Sequence, residues 1–235
     1  MISVRGTSEA AGTGSANGGR TYASGGAGAT LSSLIGYANS EPYLPVYQEA
    51  ISYPAVILPA TGPTLGYISS VQTGITNLVG EINSVAGACP YTNIILAGYS
   101  QGADVIDESV GLTHSSLETV PALSSAALDH ITSVLLFGDP RYRPGEAWDA
   151  AGDGIGGGIL EAPTGQFVNN VHLTYLPPNY DTLEPSTYVQ SYCFTGDEFC
   201  QSNFTPAGAT IHGSYGASTV IGNAWVFFMN WVTDN

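Results

Sequence analysis

The sequence predicts an α/β protein, a mainly parallel sheet of about five strands with helices on both faces, forming a three-layer sandwich. Three observations carry this. Short apolar runs of strand length alternate along the chain with longer segments whose apolar residues recur every three or four positions. One run, Asn93-Ile94-Ile95-Leu96-Ala97, leads directly into Gly98-Tyr99-Ser100-Gln101-Gly102 and then a helix-forming stretch. The 235 residues, 43% of them hydrophobic, suffice for a single domain over 1–235 with a sizeable core.

In chain order, Ile2–Val4 begins a strand that runs into Arg5-Gly6-Thr7-Ser8-Glu9. The Gly/Ser/Ala-rich stretch from Ala10 to Ala29 reads as a loop, and Leu31–Tyr37 as a helix. Ser52–Leu58 reads as an apolar strand closed by Pro59. From Leu65 to Val85, residues Leu65, Ile68, Val71, Ile75, Leu78, Val79, Ile82 and Val85 make a helical stripe. Asn93–Tyr99 is the central strand and Ala103–Val110 the helix after it. Ile131–Phe137 is a buried strand ending at Gly138-Asp139-Pro140. Val171–Leu176 and Tyr188–Cys193 read as a hairpin or edge pieces. The chain closes on an amphipathic helix, Ala217–Val232, whose Val, Trp and Phe residues read as core packing. The Gly-rich, acidic segment between Tyr142 and Asn170 lacks the lysine of a phosphate loop; it is expected to be a flexible wall or partial lid near the site.

Charge narrows the function classes. Four arginines and no lysine face 19 acidic residues, a formal charge of −15 and a pI near 4.1. Such a surface repels nucleic-acid phosphates and anionic membranes, and it suits a neutral or insoluble substrate and a secreted, extracellular protein. No apolar run is long enough to span a bilayer. The chain opens almost at once on a strand with no leader before it, so the numbering is expected to start after a removed or omitted one, truncated inside or just before the first strand. Cys193 and Cys200 are spaced for a short-loop disulfide, worth roughly 2.5 kcal/mol. A lone C-x₆-C without a second ligand pair is no zinc pattern, so no metal is expected. Cys89 is the odd one out, either a buried free thiol or a residue whose partner lay upstream of Met1; we favour the second.

A strand ending in a Gly-flanked serine with a helix behind it is the nucleophile elbow of α/β-hydrolases, and it makes Ser100 the candidate nucleophile. The helix start also turns backbone N–H groups toward the site. A serine hydroxyl needs a base, and the base needs a third group to fix its tautomer. In α/β-hydrolases the order is serine, acid, histidine. His114 and His130 fall in the segment linking the elbow helix to the next strand, on the far side of the sheet from the strand ends. His172 opens a strand-like run. His212 lies in a late loop before the terminal helix and is the candidate base. For the acid, Asp197 in the disulfide-closed loop competes with Asp139 in Gly-Asp-Pro. A short cross-linked loop gives the rigidity a tautomer-fixing partner needs, whereas Asp139 suits a turn that caps its own backbone. Asp197 is the choice.

The chain resembles the cutinase family, which includes acetylxylan esterases and other small secreted esterases. The resemblance rests on Arg5-Gly6-Thr7-Ser8-Glu9 after the first strand and Cys89-Pro90 ahead of the Gly-Tyr-Ser-Gln-Gly elbow. It rests also on Cys-x₃-Asp-x₂-Cys from Cys193 to Cys200 and on the late histidine. It implies an α/β-hydrolase-like fold, with Ser100 as nucleophile, Asp197 as acid and His212 as base. It implies an oxyanion hole from the backbone N–H groups of Thr7 and Gln101, with the Thr7 hydroxyl as a third donor. The family also places an N-terminal cysteine, bonded to the position of Cys89, just before the first strand. The segment from Tyr142 to Asn170 is longer and more Gly-rich than in the smallest members.

The expected activity is a secreted serine esterase acting through an acyl-enzyme, without metal or organic cofactor, as a monomer. Its expected substrates are cutin-type polyesters, lipids or short acyl esters. The alternatives are an acetylxylan esterase of the same family, or a non-catalytic binding relative that kept the fold. Asn203-Phe204-Thr205 is a glycosylation sequon weakened by Pro206.

Overall fold

The computed structural model describes residues 1–13, 16–17, 20–23, 25–111, 121–150, 152–167 and 188–233. His114, His172 and the expected strand Val171–Leu176 lie outside them. Five strands form an all-parallel central sheet: β1 (Ile2–Val4), β4 (Glu49–Ile51), β5 (Ile94–Tyr99), β6 (Ile131–Phe137) and β7 (Val189–Tyr192). Two short antiparallel strands, β2 (Ala16–Asn17) and β3 (Arg20–Ala23), extend the edge beside β4, giving the order β2-β3-β4-β1-β5-β6-β7. The stretch Ala10–Ala29 is therefore not all loop; a Gly-rich composition hides these short strands because neither has enough residues for an alternating pattern.

The helices are α1 (Gly28–Ser40), α2 (Leu65–Ala88), α3 (Gln101–Val110), α4 (Ser125–His130), α5 (Pro206–His212) and α6 (Val220–Thr233). Side-chain alternation on the strands builds the layers. Ile94 and Leu96 of β5, with Val134 and Leu136 of β6, point into a core shared with Tyr67, Ile75, Leu78 and Ile82 of α2 and Val105 and Ile106 of α3. Ile95, Ala97 and Tyr99, with Leu135 and Phe137, point the other way, onto Leu31 and Leu34 of α1 and Ile221, Trp225 and Phe228 of α6. This is the α/β-hydrolase-like three-layer arrangement with five central parallel strands.

Sequence signals set the helix ends. Thr64 Oγ1 accepts from Tyr67 N at 3.2 Å and caps α2, Ser124 caps α4, and Thr205 caps α5 with Pro206 at its first turn. Each expected helix is present. Those at α2 and α3 run two or three residues longer, and α1 spans Gly28–Ser40 rather than Leu31–Tyr37, because small or polar residues without an apolar pattern continue the turns. The last begins at Val220 rather than Ala217, because Tyr215–Ala217 forms a separate 3-10 turn.

Ser52–Leu58 is a correction. The strand in that region is Glu49–Ile51, and the chain leaves the sheet after Ile51. Arg5 takes over the freed carbonyls: Nη1 donates to Ile51 O at 3.4 Å and Nη2 to Tyr53 O at 2.5 Å. Ala55 then sits at φ 52°, outside any strand conformation. Tyr53, Ala55 and Leu58 are buried all the same. They pack as a loop beneath α2, which is why the apolar pattern imitated a strand. Within Tyr188–Cys193, expected as part of a hairpin or an edge piece, β7 pairs in parallel with β6 and ends the order of the described strands.

Candidate active site

The site forms at the C-terminal ends of β1, β5 and β6. Ser100 follows β5 and is the residue before α3, with φ 53° and ψ −122°. A left-handed backbone at a non-glycine residue is strained, and here the surrounding contacts impose it. Ser100 N donates to Phe137 O at 2.8 Å, and Ser100 O accepts from the N–H groups of Ala103 and Asp104 at 2.9 and 3.2 Å. The flanking glycines are steric necessities. A β-carbon on Gly102 would lie 1.9 Å from Val4 O, and one on Gly98 2.6 Å from Gly102 O. The start of α3 therefore packs directly against the end of β1.

That approach brings the Arg5–Glu9 loop beside the serine; a β-carbon on Gly6 would lie 3.3 Å from Ser100 Cβ. The loop is fastened on both sides. Arg5 Nε donates to Glu9 O at 2.7 Å, Tyr53 Oη donates to Arg5 O at 2.6 Å, and the guanidinium lies 4.9 Å over the Tyr53 ring. Glu9 Oε2 accepts from Gly6 N at 2.8 Å, and its Oε1 from Thr30 N at 3.1 Å. Ser8, at φ 62°, donates its N–H to Ala55 O at 3.2 Å. Thr7 is the half-buried residue at the centre of this turn. Gln101 follows Ser100 and is held by its side chain: Oε1 accepts from Ser70 Oγ at 3.1 Å, and Nε2 donates to Val56 O at 2.7 Å. Tyr53 and the Glu9 contact with Thr30 were missed as supports in the sequence, because these contacts span elements.

His212, expected in a loop, instead ends the helix α5 and is 7% exposed. Its Nδ1 lies 2.9 Å from Asp197 Oδ2 and 3.1 Å from Oδ1. The imidazole stacks on Tyr99 with centroids 5.1 Å apart, and Tyr99 Oη donates to His212 O at 2.9 Å. The residue before the elbow serine thus carries the histidine. His212 Nε2 is buried with no hydrogen-bond partner among the described residues, so Ser100 and His212 are not hydrogen-bonded to each other. Such bonds are often long in ligand-free sites.

Asp197 is fully buried. Its loop is closed by the Cys193–Cys200 disulfide. Oδ1 accepts from Phe199 N at 2.7 Å and Cys200 N at 2.9 Å. Asp139 occupies a different place. Its Oδ1 accepts from Arg141 N at 2.9 Å, the self-capping turn expected of Gly-Asp-Pro. Burial, with Asp107 and Asp104 nearby, pushes its carboxyl well above the usual range. It belongs to a buried group with Asp104, Asp107 and Glu108 of α3, where Arg141 Nε donates to Asp107 Oδ1 at 2.7 Å and Tyr67 Oη donates to Asp104. His130, at the end of α4, pairs its Nδ1 with Thr92 O at 2.6 Å, at the N-terminal end of β5.

The Gly-rich segment is no flexible lid where it is described. Gly154 N donates to Cys193 O at 2.9 Å, Ile159 N to Phe199 O at 3.0 Å, and Ser202 Oγ to Gly157 O at 3.0 Å. The Gln201 side chain closes a two-way clasp on Gly156: Oε1 accepts from its N–H at 3.1 Å and Nε2 donates to its carbonyl at 2.6 Å. The glycines permit this approach, since a β-carbon on Gly154 would lie 2.2 Å from Gln201 Oε1. The segment buttresses the acid loop. The sequon is also structurally engaged: Asn203 Nδ2 donates to Gly196 O at 2.7 Å while Thr205 caps α5. Cys89 is exposed, which removes the buried-thiol reading. Among the described residues no cluster could hold a metal ion, and no helix is long and apolar enough to cross a membrane. A cavity of about 280 Å³ lies at the other end of the sheet, lined by Ile2, Ile94, Tyr91 and Phe228, away from all of this chemistry.

The comparisons agree with this architecture. The chain is 28% identical over 177 residues to acetylxylan esterase 2 of Talaromyces purpureogenus, covering 72% of this chain and 66% of that protein. It is 28% identical over 189 residues to cutinase 11 of Verticillium dahliae, covering 77% of this chain and 56% of the relative. The chain thus spans less than two thirds of these relatives' own length. Among solved structures, the catalytic core domain of acetyl xylan esterase from Trichoderma reesei superimposes with a TM-score of 0.69 at 25% identity, covering 98% of both chains. The Cutinase family model matches residues 1–231. With the elbow, the short disulfide loop and the late histidine brought to one end of its sheet, the chain belongs to the cutinase family.

Proposed function

We propose that the protein is a serine esterase that hydrolyses carboxylic esters through an acyl-enzyme. One observation carries this reading: His212 is anchored through Nδ1 to a buried carboxylate while its Nε2 is left unpaired beside the residues that hold Ser100. Anchoring Nδ1 places the imidazole's basic lone pair on Nε2, the tautomer that can take the serine proton. Ser100 then attacks the ester carbonyl, and its proton passes to His212. The oxyanion is stabilised by the N–H groups of Thr7 and Gln101, each donor worth about 2.7–4 kcal/mol in the transition state. His212 returns the proton to the leaving alcohol. Water repeats the sequence on the acyl-enzyme, with no electron transfer and no cofactor required. The two braced loops, on Arg5 with Glu9 and on the Gln101 side chain, hold the donors before substrate arrives.

Secretion fits the disulfide and the anionic, lysine-free composition. Family members named as cutinases and as acetylxylan esterases make the substrate either a polyester or lipid ester, or an acetylated polysaccharide. The second class is favoured by acetylxylan esterase structures that align over 97–98% of both chains. The test is a p-nitrophenyl ester series of rising chain length beside acetylated xylan, with stoichiometric phosphonate labelling of Ser100. Ser100→Ala should lose labelling and lower kcat on the order of a million-fold, the cost of losing the nucleophile in a serine hydrolase. Near-wild-type turnover in that variant would overturn the assignment, and an unlabelled, inactive wild type would leave the non-catalytic reading standing.

A further inference from the structure

Asp197 carries one more hydrogen bond than a tautomer-fixing acid requires. Its Oδ2, 2.9 Å from His212 Nδ1, also accepts from the hydroxyl of Tyr215 at 2.9 Å. Tyr215 lies three residues past His212 in the 3-10 turn Tyr215–Ala217 and is fully buried. Its ring stacks face to face on Phe194 at 4.4 Å and meets Phe137 edge-on. The phenol oxygen accepts from Phe194 N at 2.9 Å. Its other neighbour, Cys200 Sγ at 3.5 Å, is bonded to Cys193. The hydroxyl hydrogen is thereby directed to Asp197. Burial and the Asp197 charge push the phenol well above its usual range, so it remains a donor.

We infer that Tyr215 is a positioning residue for the acid. Its hydroxyl fixes the rotamer of Asp197 and draws charge from the oxygen that faces His212, setting how strongly the carboxylate holds the protonated imidazole. This rests on the reading of Ser100, Asp197 and His212 as nucleophile, acid and base. Being fully buried, Tyr215 cannot touch substrate, so it acts only through Asp197. Asp153 lies within electrostatic reach of Tyr215, and Glu9 and Glu198 act on Tyr99, which stacks on His212. All three carboxylates stay in place in the variants below.

The experiment is the pH profile of kcat/KM on p-nitrophenyl butyrate for wild type, Tyr215→Phe, and protein with 3,5-difluorotyrosine at position 215. Without the hydroxyl, Asp197 holds the imidazolium more strongly. The acid limb of Tyr215→Phe should then move to higher pH by up to about two pH units, the ceiling set by a hydrogen bond to a charged group. The plateau should fall about tenfold as the carboxylate loses its fixed orientation, with KM unchanged within about twofold. Fluorination strengthens the donor while keeping shape, so its acid limb should move to lower pH. Limbs that coincide with wild type, or that shift in the same direction, overturn the inference. If Tyr215→Phe does not fold, the fluorinated protein decides alone. Phosphonate titration of wild-type Ser100 separates the two levels: full labelling with unmoved limbs refutes the role of Tyr215 only, and no labelling refutes the triad reading beneath it.

Discussion

Asp197 and Asp139 sit at neighbouring strand ends, yet their surroundings give them opposite tasks. Asp197 receives two backbone N–H groups, a phenol and an imidazole. Asp139 receives one N–H and faces other acids. Asp197→Asn would present an amide to His212 Nδ1 and favour the wrong tautomer, at a cost of about 10⁴ in rate. Asp139→Asn removes a carboxyl that its neighbours already disfavour as an anion, so activity should stay within a few-fold and the melting temperature at pH 7 should hold or rise. Steady-state kinetics and thermal melts of both variants check this; an inactive Asp139→Asn with an active Asp197→Asn would reverse the roles. Ser100 and Asp197 could be singled out in the sequence because each lies in a short motif, and His212 because of its place in the chain order. The support from Tyr53 could not be, because it acts 48 residues from Arg5, and the Glu9 carboxylate's reach to Thr30 was likewise beyond any local pattern.

At the scale of elements, Asp197, the proposed acid, is carried by a loop, and Ser100, the proposed nucleophile, by the end of a sheet strand. The loop is held by the Cys193–Cys200 bridge and by the Gln201 clasp on the Gly-rich segment. Reduction should therefore release Asp197 before the strands respond. Under dithiothreitol, esterase activity should fall while far-UV circular dichroism stays native, and Gln201→Ala should make that loss occur at lower reductant. Cys89 gives the control, titrating as one thiol in unreduced, denatured protein. Three free thiols in fully active protein would show that the loop is held otherwise. A helical stripe located α2, and continuous apolar runs located β5 and β6, which are buried on both faces. An apolar run also misplaced β4, because the buried residues after Ile51 belong to a loop sealed by Arg5 and α2. The Gly-rich segment was misjudged as flexible because glycine also serves close backbone contact, which composition alone cannot distinguish.

Over the whole molecule, the anionic composition was plain from the chain, but the concentration of acids in the interior was not. Burial pushes Asp107 up to about 6, with Arg141 opposing, and Asp153 up to about 7. Asp104 and Asp139 are also raised well above the usual range. An aspartate in the unfolded chain titrates near 3.9. Between that pH and the raised values the folded state therefore binds more protons than the unfolded state, so stability falls as pH rises. Self-repulsion of the net negative charge acts in the same direction. The melting temperature should be several degrees lower at pH 7.5 than at pH 4.5. Each tenfold gain in a carboxylate's proton affinity on folding is about 1.4 kcal/mol, and 1 kcal/mol is about 2–4 °C for a chain of this size. A flat or rising profile across that range, followed by circular dichroism, would contradict it.

The strand order has a consequence in time. β1 is an interior strand, yet its partners on either side, β4 and β5, come from far downstream: Ile2 lies opposite Glu49 and Leu96. At translation speeds of about 5–20 residues per second, Leu96 is made about 5 to 20 s after Ile2. For about the first 2 to 9 s, until Glu49 is made, the emerging strand has no neighbour at all, and its β5 side stays open through the whole interval. Asp197 and His212 arrive later still, after β7, the last of the sheet's described strands, has been synthesised. Nascent chains should consequently be held by chaperones rather than fold in stages, and ribosome-bound intermediates stalled before residue 94 should remain protease-sensitive.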